Sequence, residues 1–195
     1  MILLVDNASR DDNPRMTPLL VDECRRAGQG LYVHPGHVPD IPEPILREAS
    51  CIVVGGSDRH ARDDHTDQDA TGRAIVHALA ENVPLLGICY GMHRLAQHLG
   101  CRVYTGMPRS GVYEVRVPIQ GTRPLQLSFE CTDFVSEIPR TFESLLQELP
   151  HGVVLMSNGA AGGSATGAAF HPEATADGRR LLRLWLQGAT DLLVE

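Results

Sequence analysis

A cysteine, a histidine and a glutamate stand in sequence contexts that suit nucleophilic catalysis. Cys89 lies between Gly87 and Gly91, after an apolar run and before a helical pattern. This arrangement is typical of a sharp strand-to-helix turn that projects a nucleophile from the carboxyl edge of a sheet. The amino end of the following helix would favour the thiolate over the thiol. The alternative interpretation is a small core cysteine at a strand end, the commoner fate of a free cysteine.

His171 and Glu173 are the candidates for the base and for the group that orients it. They lie two residues apart in Phe170-His171-Pro172-Glu173, after an apolar run of small residues, and the proline restricts the backbone between them. Glu173 could hold one ring nitrogen of His171 while the other nitrogen faces the sulfur. A surface turn ahead of the last helix is the alternative interpretation.

Two backbone amides could complete such a site as an oxyanion hole. Gly55 and Gly56 end the predicted strand Cys51–Val54, and Tyr90 directly follows Cys89. Glycines at a strand end let N–H groups approach an acyl oxygen, and the residue after a nucleophile commonly supplies the second donor. Taken alone, a Gly-Gly pair is more often just a turn.

The elements that would position these residues alternate in the first half of the chain. Strands predicted at 2–5, 31–33 and 51–54, and before Cys89, are separated by helical patterns. This alternation predicts an α/β fold with a doubly wound, mostly parallel central sheet of the flavodoxin type, flanked by helices. In the second half, strands at 102–104, 112–117 and 125–129 predict a smaller antiparallel extension. Further strands are predicted at 153–156 and 168–170, with a turn over 158–167 and a last helix over 177–187.

Composition narrows the possible partners and environment. The net charge is −7 and no basic cluster is present, which argues against nucleic acid and anionic membranes as partners. No apolar segment reaches the length of a membrane span, and the first residues lack a signal-peptide pattern. Five cysteines without CxxC spacing predict neither disulfides nor a zinc site and favour the cytoplasm. The polar segment 57–67 shows no ligand spacing, so we expect no metal and no cofactor. Without a repeat or linker, residues 1–195 are predicted to form one domain.

Together, these motifs resemble the class I (triad-type) glutamine amidotransferases over essentially the whole chain. The stretch 87–93 is similar to the family's G-x-C-x-G-x-Q elbow, 170–173 matches its F-H-P-E motif, and 53–57 its strand-end glycines. Within the family, the chain looks most like the amidotransferase part of GMP synthetases. The resemblance implies Cys89 as nucleophile, His171 as base and Glu173 as its orienting group, with oxyanion-hole amides at Gly56 and Tyr90.

Several residues of the implied substrate pocket depart from the family pattern. His93 stands where the family has the elbow glutamine, and Glu130-Cys131 stands where Ser-His is usual. A histidine cannot offer the paired donor and acceptor of an amide. Glu130 could bind an ammonium group or point to solvent. Arg109 and Ser110 are assigned, by resemblance, to a loop that closes over the substrate, and Gly55 to the substrate pocket.

The sequence thus supports three functional hypotheses. The first is a glutamine amidotransferase subunit that releases ammonia from glutamine through a Cys89 thioester and supplies it to a partner synthetase. The second is a stand-alone amidase, γ-glutamyl hydrolase or acyl transferase with the same triad, motivated by His93, Glu130 and Cys131. The third is a non-catalytic regulatory subunit, against which the intact Cys-His-Glu set argues.

Overall fold

The computed structural model describes residues 1–8, 16–63, 67–116, 123–148, 152–158 and 165–188. The strands are β1 Ile2–Asp6, β2 Leu31–Pro35, β3 Cys51–Val54, β4 Leu85–Ile88, β5 Val103–Val115, β6 Leu125–Val135, β7 Glu143–Glu148, β8 Gly152–Ser157 and β9 Ala165–Ala168. Seven of them form one sheet in the order β2-β1-β3-β4-β9-β8-β7, and β5 and β6 form a separate two-stranded sheet. The helices are α1 Met16–Arg26, α2 Glu43–Glu48, α3 Ala70–Glu81, α4 Tyr90–His98 and α5 Ala176–Leu186.

The first five strands of the sheet order are parallel, which confirms the predicted doubly wound fold. β1 pairs with β2 and β3, β3 with β4, and β4 with β9, all in parallel register. The strands β3 and β4 are apolar throughout and fully buried, as expected for strands covered by helices on both faces. Because parallel strands share one carboxyl edge, the ends of β3 and β4 bring Gly55 and Cys89 together.

The antiparallel part is more extensive than the sequence patterns predict. β5 and β6 pair over most of their lengths, and β8 pairs antiparallel with both β7 and β9. The prediction of a loop at Arg109 and Ser110 is wrong, because both residues lie within β5, paired with Cys131 and Glu130. β7 was not predicted. The predicted turn over 158–167 is wrong at its end, since the last strand is Ala165–Ala168 rather than 168–170.

Side-chain caps and ion pairs fix the helices that surround the site. Asp69 caps α3 by accepting from the Gly72 amide, and Thr175 caps α5 in the same way. Buried Glu23 of α1 accepts two hydrogen bonds from Arg183 of α5, at 2.7 and 3.0 Å. Parts of the predicted segments, at residues 10–15, 64–66, 117 and 159–164, lie outside the described residues. None of the described helices is long and apolar enough to cross a membrane.

Candidate active site

Cys89 occupies a strained turn between β4 and α4. Its φ of 51° and ψ of −108° lie outside the ordinary regions for a residue with a side chain, as is common at functional sites. A Cβ atom on Gly91 would lie 2.3 Å from the Val54 carbonyl oxygen, and one on Gly87 would lie 2.6 Å from Gly91. The Cys89 amide donates to the Ala168 carbonyl at 2.7 Å. The glycines therefore let the turn close against β3, as the spacing around Cys89 predicts.

His171 and Glu173 are buried beside Cys89 at the start of a short 3-10 helix, Pro172–Ala174. The His171 amide donates to the Ser128 carbonyl at 2.8 Å, and its Nδ1 lies 3.0 Å from Glu173 Oε1. Burial disfavours protonation of His171, but its interactions with Cys89 and Glu173 raise the pKa of the imidazole well above 6.5. Cys89, His171 and Glu173 thus lie side by side, with His171 hydrogen-bonded to Glu173.

The predicted oxyanion-hole residues lie next to the side chains of Cys89 and His171. A Cβ atom on Gly56 would lie 2.8 Å from His171 Cε1 and 3.5 Å from Cys89 Cβ, so only a glycine fits there. Tyr90 is the first residue of α4, and its amide lies at the positive end of the helix dipole. The Gly56 backbone therefore lies beside Cys89 and His171, and the Tyr90 amide directly follows Cys89 in the chain.

Two buried polar networks hold these backbones in place, and the motif pattern does not reveal them. Asn7 donates from Nδ2 to the Gly55 carbonyl at 3.3 Å and accepts from the Thr71 hydroxyl at 2.9 Å. In α4, Arg94 donates to Asp69 at 2.8 Å and to the Tyr90 hydroxyl at 2.7 Å. The networks tie the end of β3 and the start of α4 to α3.

A cleft of about 290 Å³ opens at Cys89 and contains most of the predicted substrate residues. Its lining includes His93, Arg109, Glu130 and Cys131, together with Tyr90. A second cavity of about 280 Å³ lies on the side of His171 and Glu173, and both apolar and polar side chains line it. The two spaces share Ser57, Asp58 and Glu130 at their rims. The catalytic candidates therefore stand between the two spaces.

His93 is buried in the wall of the cleft rather than exposed to a substrate. It is 2% exposed, and its Nε2 has no hydrogen-bond partner within the described residues. Burial lowers the pKa of His93 to about 4, an effect that Asp133 opposes and His60 reinforces. The imidazole is therefore neutral at physiological pH.

The side chains of Arg109 and Glu130 differ in their burial at the cleft. Arg109 is buried because its guanidinium carbon lies 3.5 Å from the centre of the Phe129 ring and 4.4 Å from that of Tyr113. Glu130 is exposed and accepts a hydrogen bond from Ser110 at 3.0 Å. Its carbonyl accepts from Cys89 Sγ at 3.5 Å. Glu130 thus contacts the candidate nucleophile through its backbone, whereas its carboxylate faces the rim.

The far wall of the cleft contains a polar cluster that sequence reasoning missed. His60 Nδ1 lies 3.2 Å from Asp133 Oδ1 and 3.3 Å from Thr132 Oγ1. His60 belongs to the polar segment interpreted as a solvated loop, and only the fold shows that it contacts β6. Within the described ranges, no group of three His, Cys, Asp or Glu side chains is arranged to hold a metal ion.

Comparison with known proteins matches this chain to a family. The family model "Glutamine amidotransferase class-I" matches residues 16–185. A "GMP synthase [glutamine-hydrolyzing]" from Thiobacillus denitrificans is 30% identical over 193 residues, which cover 89% of this chain and 34% of that protein. One from Legionella pneumophila is 26% identical over 180 residues, covering 85% of this chain and 33% of the relative. The chain therefore spans about a third of the length of these curated relatives.

Solved structures share the fold. A protein from Thermoplasma acidophilum, described as part of a putative GMP synthase, superposes with a TM-score of 0.77 at 21% identity, covering 97% of this chain and 92% of that one. A glutamine amidotransferase from Thermotoga maritima gives 0.71 at 21% identity, with 98% and 83% covered. At this identity the likeness supports the α/β architecture.

Proposed function

The chain belongs to the class I glutamine amidotransferase family, and we propose that it hydrolyses the side-chain amide of glutamine and supplies the ammonia to a synthetase. The observation that carries this proposal is that Cys89 lies at a cleft beside His171, which is hydrogen-bonded to Glu173. A nucleophile, a base within reach and an orienting carboxylate are the parts that covalent acyl transfer needs.

In the proposed reaction, the Cys89 thiolate attacks the amide carbon and the amide nitrogen leaves. The amides of Gly56 and Tyr90 hold the negative oxygen of the tetrahedral intermediate. His171, whose raised pKa favours the imidazolium, gives its proton to the departing nitrogen. Ammonia leaves and a thioester remains. The neutral His171 then takes a proton from water, which attacks the thioester and releases glutamate.

The charges around the cleft suit a small amino acid. Its lining includes the acidic residues Asp58, Glu130 and Asp133 and the basic residues Arg59 and Arg109. A zwitterion such as glutamine can pair its ammonium group with the first set and its carboxylate with the second. The cavity beyond His171 gives the released ammonia room away from the substrate cleft.

A partner is proposed because free ammonia is readily lost to solvent. The curated relatives are named GMP synthases and are about three times as long as the matched region. We therefore propose a synthetase of this type as the consumer of the ammonia, on a separate chain or on the same polypeptide.

A second candidate function is hydrolysis of another γ-glutamyl amide. The buried, neutral imidazole of His93 favours it, since this side chain replaces the glutamine of the family's elbow motif. A single imidazole presents a different hydrogen-bond pattern to the substrate. Cys89, His171 and Glu173 would act in the same way, and only the amide that Cys89 attacks would differ.

Glutamate release from glutamine tests the proposal. The chain, its Cys89→Ala variant and a Cys101→Ser control are each assayed with and without a GMP-synthase-type synthetase. We expect release that increases with the synthetase, disappears in Cys89→Ala and persists in Cys101→Ser. Hydrolysis of another γ-glutamyl amide while glutamine stays inert would favour the second candidate. Release that is unaffected by Cys89→Ala would contradict both.

A further inference from the structure

The side chain of Tyr90, the first residue of α4, contacts two arginines. It is buried, and its hydroxyl accepts a hydrogen bond from Arg94 Nη1 at 2.7 Å. The guanidinium carbons of Arg59 and Arg94 lie 5.2 and 5.7 Å from the centre of the Tyr90 ring. Cations attract aromatic rings over roughly 6 Å, so both arginines hold the ring. The residue that follows Cys89 is therefore restrained at its ring and at its hydroxyl.

Arg94 is anchored in turn to the neighbouring helix α3. Its guanidinium donates to the Asp69 carboxylate from Nη1 at 2.8 Å and from Nη2 at 3.4 Å. Asp69 also caps α3, where it accepts from the Gly72 amide. Because Arg94 is buried, water competes little for these hydrogen bonds. The contacts thus connect the first turn of α4 to the start of α3.

This connection follows directly after the strained turn at Cys89. The φ of 51° at Cys89 lies in a region that side chains disfavour, and its side chain makes no capping hydrogen bond to α4. A strained backbone persists only where its surroundings fix it. The contacts of Tyr90 begin at the next residue and supply such a restraint. Arg94 lies one residue beyond the elbow motif of residues 87–93, so the motif does not assign it.

We propose that Arg94 is a positioning residue that holds the Tyr90 amide where the negative oxygen of the tetrahedral intermediate forms. The inference rests on the proposed function, because this oxygen forms only when Cys89 attacks an acyl carbon. Among the described residues, Tyr90 lines the cleft and Arg94 does not, so Arg94 acts through Tyr90. A donor that is fixed before the reaction stabilises the developing charge without reorganising.

Kinetics of two variants test this role. Arg94→Met removes the contacts with Asp69 and Tyr90, whereas Tyr90→Phe removes only the hydroxyl and keeps the backbone amide. Each should lower kcat for glutamine about tenfold or more and change KM less than about twofold, since the amide acts mainly in the transition state. The double variant should lose no more than Arg94→Met alone, because both changes break the same contact.

Arg94→Lys and Arg47→Met are the matched comparisons. Arg94→Lys keeps a cation that can donate to Asp69, and it should recover part of the lost kcat. Arg47→Met makes the same change at an exposed ion pair with Glu43, 2.9 Å away, and should keep the wild-type kcat.

Alkylation by iodoacetamide distinguishes a displaced amide from a damaged nucleophile. The Cys89 sulfur displaces iodide from a saturated carbon and no oxyanion forms, so the rate reports only the thiolate and its accessibility. In Arg94→Met and Tyr90→Phe this rate should stay within about twofold of the wild-type rate. A rate that falls in parallel with kcat, or a wild-type kcat in both variants, would overturn the inference.

Hydrogen exchange measures the anchoring without using activity. The amides of residues 88–92 should exchange faster in Arg94→Met and in Tyr90→Phe than in the wild type, because the start of α4 is held less firmly. Unchanged exchange in both variants would also overturn the inference. If exchange increases while the wild type releases no glutamate from glutamine, the anchoring stands and the proposed function fails.

Discussion

Replacing His93 by glutamine, the residue of the family's elbow motif, should remove a large part of the acid sensitivity of the fold. His93 has a pKa near 4 in the folded chain because it is buried, whereas the ordinary value is 6.5. Between these values the unfolded chain binds a proton that the folded chain does not, so acid favours unfolding. At pH 5 this linkage amounts to about 2 kcal/mol, and at pH 7.5 it is close to zero.

Urea unfolding at pH 7.5 and pH 5 measures this contribution. From pH 7.5 to pH 5 the free energy of unfolding should fall less in His93→Gln than in the wild type. The difference between the two decreases should be about 2 kcal/mol. His37→Gln, at an exposed histidine outside the cleft, is the matched control and should behave as the wild type. Equal pH dependence in the wild type and His93→Gln would refute the conclusion that the folded chain holds His93 neutral.

Three further substitutions test the site and its support. Glu173→Gln replaces the charged partner of His171, and the loss of a charge-assisted hydrogen bond should reduce kcat/KM for glutamine about 10- to 100-fold. Gly56→Ala places a methyl group 2.8 Å from His171 Cε1, which should displace the ring and lower kcat about tenfold or more. Glu23→Gln weakens the buried contact with Arg183 and should cost about 1–2 kcal/mol at pH 7. Because its contacts with Arg183 lower the pKa of Glu23 below 4.5, this stabilisation is present above pH 4.5 and is lost as the pH falls further.

Each of these predictions has an outcome that contradicts it, and two of them have a matched control. Gly30→Ala has room for its methyl group, 3.8 Å from Met1, and should keep full activity, whereas an active Gly56→Ala would argue against the packing at His171. Glu43→Gln removes an exposed ion pair and should change stability little, so equal losses in Glu43→Gln and Glu23→Gln would contradict a special role for burial. A Glu173→Gln enzyme with wild-type kcat/KM would show that His171 does not need its carboxylate.

The arrangement of Cys89, His171 and Glu173 was predictable because its signals are local. The Gly-Cys-Gly spacing specifies the elbow, since both glycines meet backbone atoms closer than a Cβ allows. His171 and Glu173 are two residues apart, so their pairing requires no knowledge of the fold. The parallel sheet followed from continuous apolar strands separated by helical patterns.

The cleft walls were not predictable because they are made by contacts distant in sequence. His60 and Asp133 are 73 residues apart and meet only when β6 folds over the cleft. The rings of Phe129 and Tyr113 cover Arg109. This charged residue, which was predicted to lie in a loop, is therefore buried in a strand.

The prediction missed β7 and placed β9 too late in the chain, for a different reason. β9 has the sequence Ala-Thr-Gly-Ala, which resembles a turn. Its small residues are instead needed for close packing, because a Cβ atom on Gly167 would lie 2.8 Å from both Met92 and Met156. β7, Glu-Ser-Leu-Leu-Gln-Glu, is a strand because it pairs with β8, and its polar composition gives no such signal.

The central claim is that Cys89 is the nucleophile of a glutamine-specific site, and covalent labelling tests it most directly. The chain is incubated with a chloroketone analogue of glutamine, with and without excess glutamine, and mapped by peptide mass. The account predicts one label, on Cys89 alone among the five cysteines, that glutamine suppresses and Cys89→Ala abolishes. Labelling of another cysteine in preference, or labelling of Cys89 that glutamine does not slow, would contradict it.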